Sequence, residues 1–337
     1  MAVLRNIKPD TSDLKTNMIR ADTVPAGAGL SFQSLESDRE RLYDSLVDYA
    51  GSVFSAIRNQ QKIPLDKGFE LVKKMTENHL PEDPVFIKSI HHDSLEDYYI
   101  FHCVNTAVYA VKMADNLKWP VNKQIELGVG ALFHDLGMAM VPEKIIYKKE
   151  SLTDKELQII KNRPRMGYKI LMPFAETYPW LPVCALQAHE RIDGSGYPDG
   201  IKGDDIHEYA QLSGLAGVYE ALIHSRPQGE KYLYSSAVKE IIRTNKKSFK
   251  SQYLKALLNV FSIFPIYSYV RLNTDIIGKV LETYPDQPMR PKIQVVYDMK
   301  KHSPVSDKRI VNLPDNSLLN IVDSISETDI KGLFYNE

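Results

Sequence analysis

Cysteine is almost missing from this 337-residue chain, which has only Cys103 and Cys184, far apart and each in apolar, helix-patterned sequence. Two such thiols suit buried, reduced side chains and exclude a disulfide framework or a cysteine-based zinc site. Net charge is also scarce. With Lys and Arg totalling 42 against 43 Asp and Glu, the chain has no long-range field to gather phosphate backbones, and Asn245-Lys246-Lys247 is no basic patch. A nucleic-acid partner is therefore not expected. No run approaches the roughly twenty apolar residues of a membrane span. The opening Met1-Ala2-Val3-Leu4-Arg5-Asn6-Ile7 lacks the apolar centre of a signal peptide, so a cytoplasmic protein without a membrane partner is expected. Repeats and low-complexity segments are missing too. What remains is 43% hydrophobic and 25% charged, the composition of one large or two ordinary globular domains.

Residues 1–34 mix Pro, Gly, Ser and Thr with weak periodicity and read as a flexible arm. Residues 35–90 read as a helical preface, with one stripe through Leu42, Leu46, Tyr49, Val53 and Ile57 and another through Leu65, Phe69, Val72 and Met75. A third helix is predicted from about Leu95 to Leu117 and a fourth from about Lys123 to His134. Ser151-Leu152-Thr153-Asp154-Lys155-Glu156 carries a capping-box pattern opening a helix towards Met172, interrupted at Pro164. A further helix, about Leu181 to Glu190, delivers His189 to a glycine-rich loop, and another runs from Tyr209 to His224. Helices over Ala237–Ile242 and Tyr253–Phe261 precede strands at Tyr267–Leu272, from Ile276 and from Ile293, which form a small sheet. The end, Asp315 to Glu337, reads as a helix plus tail, the tail covering 326–337.

The most informative segment is His189-Glu190-Arg191-Ile192-Asp193-Gly194-Ser195-Gly196-Tyr197-Pro198, about fifty residues after His134-Asp135. Imidazoles and carboxylates hold cations beside a phosphorus atom, while Arg, Lys and Tyr grip the remaining phosphate oxygens. A bridging Asp can touch two ions at once. Together these motifs resemble the HD-GYP group of bacterial cyclic di-GMP phosphodiesterases over residues from about 40 to 325. The resemblance implies a mainly α fold: an HD-domain-like helical bundle, with an N-terminal helical preface and a small C-terminal antiparallel sheet, the HD-GYP-like domain spanning 91–325.

Carried over position by position, the resemblance matches His102, His134, Asp135 and His189 to metal ligands. Three other ligand positions are substituted: Arg163 stands where the family has the His of a His-Pro, Ala188 where it has the first His of His-His-Glu, and Gly217 where it has the first Asp of Asp-Val-Tyr-Asp-Ala-Leu. None of these offers a side-chain lone pair to a cation. Met138 replaces a phosphate-binding Lys. Tyr197, Arg226, Gly194 and Gly196 match the ligand-binding side of the site; if the protein is active, His134, Asp135, Tyr197 and Arg226 would be its catalytic group.

Each feature also has a simpler reading. The four retained ligands form either a residual metal site or a cluster held by hydrogen bonds. Arg163 either pairs with Asp135 in place of an ion or lies exposed on a helix face. The glycines around Tyr197 either contact a nucleotide or make a tight connection. Glu220 and Glu190 are weighed as substitutes for the carboxylate absent at 217, and His91-His92-Asp93 as a solvated turn. The expectation is no metal or one divalent ion, iron (Fe) or manganese (Mn), in a degenerate signalling protein that binds cyclic di-GMP or a protein partner with little or no hydrolysis. Its rivals are a phosphodiesterase with a reduced metal centre and a scaffold that binds no nucleotide.

Overall fold

A computed structural model describes residues 29–77 and 83–335, apart from 93, 96, 149, 228, 230, 246 and 285. The chain divides into Met1–Asp38 and Arg39–Glu337. Of the first unit only the opening of helix α1 (Gly29–Arg58) is described. The arm expected over residues 1–34 lies, up to residue 28, outside the described residues. Its boundary moves, because α1 starts at Gly29 and neither Gly nor Pro interrupts the sequence before Gly51.

In the second unit α1 continues through buried Leu42, Leu46, Tyr49 and Val53, and α2 (Leu65–Thr76) adds Leu71, Val72 and Met75. Asp83 caps α3 (Pro84–His91), accepting from the Val85 amide at 3.2 Å. The centre of the bundle is α4 (Tyr98–Asn116), packed against α5 (Val121–Leu132) and against the later helices α10 (Glu208–Ile223) and α12 (Ser251–Val260). It is buried nearly all round, as a helix enclosed by others must be. Leu132 and Phe133 are fully buried just before His134. Truncating Leu132 to Ala would cost about 2–5 kcal/mol and loosen the turn that carries His134 and Asp135.

After a 3-10 turn over Leu136–Met140 come α6 (Glu143–Ile146) and α7 (Asp154–Lys161). The capping box forms as the sequence predicts, with Glu156 N to Thr153 Oγ1 at 3.4 Å and Thr153 N to Glu156 Oε2 at 2.8 Å. Pro164 separates α7 from α8 (Arg163–Leu171), since its ring tolerates only the first turn of a helix. There follow α9 (Trp180–Gln187), α10 (Glu208–Ile223), α11 (Tyr234–Asn245) and α12 (Ser251–Val260). Cys103 and Cys184 are free and buried. Among the described residues no helix is long and apolar enough to cross a membrane.

The C-terminal sheet is antiparallel, with strands β1 (Tyr269–Leu272), β2 (Ile276–Glu282), β3 (Lys292–Asp298), β4 (Ser303–Pro304), β5 (Ile310–Asn312) and β6 (Ile321–Ile325). The order is β4-β3-β2-β1-β6, with β5 also on β3. Val270, Leu272, Val280 and Ile293 alternate inward onto Phe264 and Leu313. Three expectations change here. Tyr267 is outside β1 because its φ of 70° turns the chain, β6 adds a strand, and the tail is helix α13 (Glu327–Tyr335). The His91-His92 pair is no solvated turn either: His91 Nε2 donates to the Ile266 carbonyl at 2.7 Å and the His92 ring lies 4.0 Å from that of Phe101. Asp93 is outside the described residues.

Candidate functional site

His134 and Asp135 follow α5 directly, where the chain leaves helical geometry. Gly137 then lets this turn approach the start of α8 very closely. A Cβ at 137 would fall 1.9 Å from the Arg163 carbonyl oxygen, so only glycine permits the contact that places Arg163 beside Asp135. Arg163 Nε donates to Asp135 Oδ1 at 2.6 Å in a charge-assisted pair whose carboxylate is buried and whose guanidinium is partly buried. This is the pairing offered as one reading of the sequence; Arg163 does not lie on an exposed face.

His189, just beyond α9, closes a triad. Its Nε2 lies 3.4 Å from Asp135 Oδ1 and its Nδ1 lies 3.4 Å from Arg163 Nη2. A guanidinium can only donate, so Nδ1 accepts and Nε2 carries the proton that is directed at the carboxylate. Both ring nitrogens are thus engaged, and His189 is not among the residues whose ligand atoms converge with those of His102, His134 and Asp135. Burial, reinforced by the Arg163 charge, pushes the His189 pKa down to about 3. Burial alone would raise Asp135, but Arg163 and His189 hold it well below the usual carboxylate range.

The other two imidazoles lie close by, the His134 ring 5.2 Å from that of His102 and 6.0 Å from that of His189. His134 Nδ1 donates to the Ala131 carbonyl at 2.7 Å, leaving Nε2 for the site, and burial pushes its pKa down to about 4. His102 Nδ1 is hydrogen bonded to Glu220 Oε2. Among the described residues, His102, His134 and Asp135 form a group whose ligand atoms lie within 4.8 Å of one another. Gly217 on α10 borders it: a Cβ there would sit 3.5 Å from His134 Nε2 and 3.6 Å from both His102 Cε1 and Thr106 Oγ1. The buried Thr106 hydroxyl has no hydrogen-bond partner among the described residues.

The glycine-rich loop is latched from below. Glu190 Oε1 accepts from the Asp199 and Gly200 amides at 2.7 and 3.1 Å, and Asp193 Oδ1 accepts from the Ser195 amide at 2.9 Å. Gly194 adopts φ +82°, and a Cβ on Gly196 would lie 2.4 Å from Glu190 Cα. The loop sets Tyr197 parallel to His189, with ring centroids 5.1 Å apart, and the Arg163 guanidinium 5.6 Å from the tyrosine ring. Arg226 follows α10, bridges to Gly229, and has a buried Nε without a partner among the described residues. Its charge is felt at Tyr98 on the Glu220 side. Ala188 is fully buried at the end of α9.

Of the two acids weighed as substitutes at 217, Glu220 is occupied by His102, Asn105 and His224, while Glu190 holds the loop through Oε1 and keeps a buried Oε2 without a partner among the described residues. Tyr99 escaped the sequence reading. Burial raises its pKa, and the charges of Asp135 and Arg163 act on it. With Met138, Phe54, Arg58, Asp97 and Tyr147 it lines a cleft of about 330 Å³. Its position three residues before His102 was the available signal.

The resemblance implies a metal centre, and the donors decide how much of one fits. Two imidazoles and Asp135 suit a single ion with open positions. A pair of ions finds no support: Asp135 Oδ1 already serves Arg163 and His189, and no carboxylate projects from 217.

Residues 72–252 match the family model described as HD domain, and residues 269–333 match the model described as KOW domain associated with HD domain. The sheet thus matches a model separate from that of the helical body. Cyclic di-GMP phosphodiesterase PA4108 of Pseudomonas aeruginosa is 25% identical over 308 residues, covering 90% of this chain and 74% of that protein. Cyclic di-GMP phosphodiesterase PdeB of Borreliella burgdorferi is 32% identical over 212 residues, covering 63% of this chain and 55% of that one. The chain therefore spans about three quarters of the first relative and about half of the second. Among solved structures, Bd1817 of Bdellovibrio bacteriovorus, an HDG"Y"P protein, superposes with a TM-score of 0.54 at 18% identity, covering 64% of this chain and 69% of its own. Its likeness concerns the fold. On these grounds, the chain belongs to the HD domain family.

Proposed function

We propose that this protein works in cyclic-dinucleotide signalling as a binding member of the family, taking up cyclic di-GMP or a protein partner with little or no hydrolysis. The relatives' names supply the ligand class. The observation that carries the reading is the 2.6 Å contact between Arg163 Nε and Asp135 Oδ1. A permanent cation neutralises the carboxylate that a bridging role would offer to metal ions. Losing even one electrostatic stabiliser commonly costs about a hundredfold or more in rate, and several positions are changed here. Arg226, Tyr197 and the Gly194–Gly196 backbone are the proposed contacts for the dinucleotide.

One observation favours a second reading, a phosphodiesterase with a reduced metal centre: His102, His134 and Asp135 converge within 4.8 Å. An ion held there would supply Lewis acidity to a phosphate oxygen. Tyr197 and Arg226 would steady that phosphate in this reading. Elemental analysis of the purified protein, then assays of cyclic di-GMP hydrolysis with added manganese or iron, separate the two. Calorimetry with cyclic di-GMP tests binding itself. Bound dinucleotide without turnover supports the proposal, whereas turnover that disappears in Asp135→Ala overturns it.

A further inference from the structure

Glu220 is a fully buried carboxylate on which donors converge from two helices. From α4, His102 Nδ1 meets Oε2, Asn105 Nδ2 lies 3.3 Å from Oε1, and the Tyr98 hydroxyl lies 3.4 Å from Oε2. His224, just past α10, sets Nδ1 3.1 Å from Oε1 and 3.2 Å from the Glu220 carbonyl, with Nε2 3.2 Å from the Ile90 carbonyl. Residues 98, 102 and 105 share one face of α4 because they are spaced by four and three. Glu220 lies three residues beyond Gly217 on α10, so its carboxylate is one helical turn away from the position where a direct ligand is missing.

We infer that Glu220 is the positioning residue of this site, fixing the His102 tautomer so that Nε2 keeps its lone pair for the His134–Asp135 centre. A carboxylate only accepts hydrogen bonds, which forces each neighbour's state in turn. His102 must carry its proton on Nδ1, so in the neutral ring Nε2 is the one nitrogen able to bind a ligand. Asn105 must present its amide NH2 to Glu220, and its Oδ1 then accepts from the Tyr43 hydroxyl on α1 at 2.8 Å. A chain of assigned donors and acceptors runs from Tyr43 through Asn105 and Glu220 to His102. The acid absent at 217 is therefore not replaced as a ligand; its neighbour one turn on acts through an imidazole.

Glu220→Gln tests this because it nearly preserves shape but offers one acceptor where there were two. If the amide oxygen serves Asn105 and His224, the NH2 group faces His102, whose Nδ1 must then accept, moving the proton to Nε2. Nitrogen-15 NMR of histidine-labelled, chelator-treated full-length protein at neutral pH reads that exchange directly. The expected result is an Nδ1–H tautomer for His102 in the wild type, an Nε2–H tautomer in Glu220→Gln, and the Nδ1–H form restored in Glu220→Asp, which keeps two acceptors. Manganese titration by calorimetry should show affinity about 10–100-fold weaker in Glu220→Gln. An Nε2–H tautomer already in the wild type, a measurement needing no variant, overturns the inference, as does an unchanged tautomer in folded Glu220→Gln. The inference rests on His102 as a donor to the site and is separable from the nucleotide reading, since the tautomer is measured without dinucleotide.

Discussion

Arg163 and Asp135 face each other across the junction of two helical segments, Nε to Oδ1 at 2.6 Å, with side chains 15% and 1% exposed. In a pair this deeply buried, each charge depends on the other for the solvation that water no longer supplies. Removing the guanidinium alone should therefore be more harmful than removing both groups. We expect Arg163→Ala to cost about 3–5 kcal/mol in urea unfolding. Asp135→Ala combined with it should recover a large part of that loss, giving a coupling energy well outside additivity. Additive single-variant effects would remove Arg163 from the role of counter-ion.

Two buried histidines near Asp135 also make stability depend on pH. His134 and His189 titrate near 4 and 3 in the folded protein, against about 6.5 in an unfolded chain. The unfolded state therefore binds their protons first. Their contribution is complete above about pH 6.5 and is lost as pH falls towards 4 and then 3. In chelator, His189→Gln should flatten this slope, because the amide can donate to Asp135 and accept from Arg163 without titrating. Urea midpoints across that range check the point, and parallel curves for the two proteins would contradict it.

Glu190 ties the glycine-rich loop through the Asp199 and Gly200 amides at 2.7 and 3.1 Å. Substituting Ala removes the one oxygen that accepts both bonds and should cost about 1–3 kcal/mol. The local effect is more diagnostic than the global one. Amide exchange at 199 and 200 should accelerate, and Tyr197 should lose its parallel seat on His189, lowering affinity for cyclic di-GMP. Unaltered exchange at these two amides would mean that the loop is held by its own turns.

What the sequence made legible follows its strongest local signals. The capping box at Thr153 and Glu156, the break at Pro164 and the alternation through Ile293, Val295 and Tyr297 are all short-range patterns, and each appears where expected. The opening of α1 at Gly29, the strands β4, β5 and β6, and the placing of the terminal helix at Glu327–Tyr335, where a tail was expected, were not anticipated, because their ends carry weak capping or alternation. At the site, the family resemblance carried over position by position suggested which side chains could meet, including Arg163 with Asp135. It could not show that both nitrogens of His189 are engaged or that Glu220 is enclosed by α4 donors. Those facts depend on side-chain direction across helices distant in sequence, which periodicity does not encode.

Restoring the three substituted positions is the most direct trial of the account. Gly217 can accept an Asp because its Cβ would meet nothing closer than 3.5 Å, and the space it enters holds His134 Nε2 and the unpartnered Thr106 hydroxyl. Arg163→His removes the cation from Asp135 and frees His189 Nδ1 at the same time. Ala188→His is the difficult step, because the site is fully enclosed and a larger side chain there costs about 1–3 kcal/mol through overpacking. We expect the triple variant Arg163→His, Ala188→His, Gly217→Asp to purify with more metal per chain than the wild type, and Arg163→His with Gly217→Asp to capture part of that gain. Elemental analysis of folded protein measures both. A folded triple variant with wild-type metal content would show that more than these three side chains separates this site from a two-ion centre.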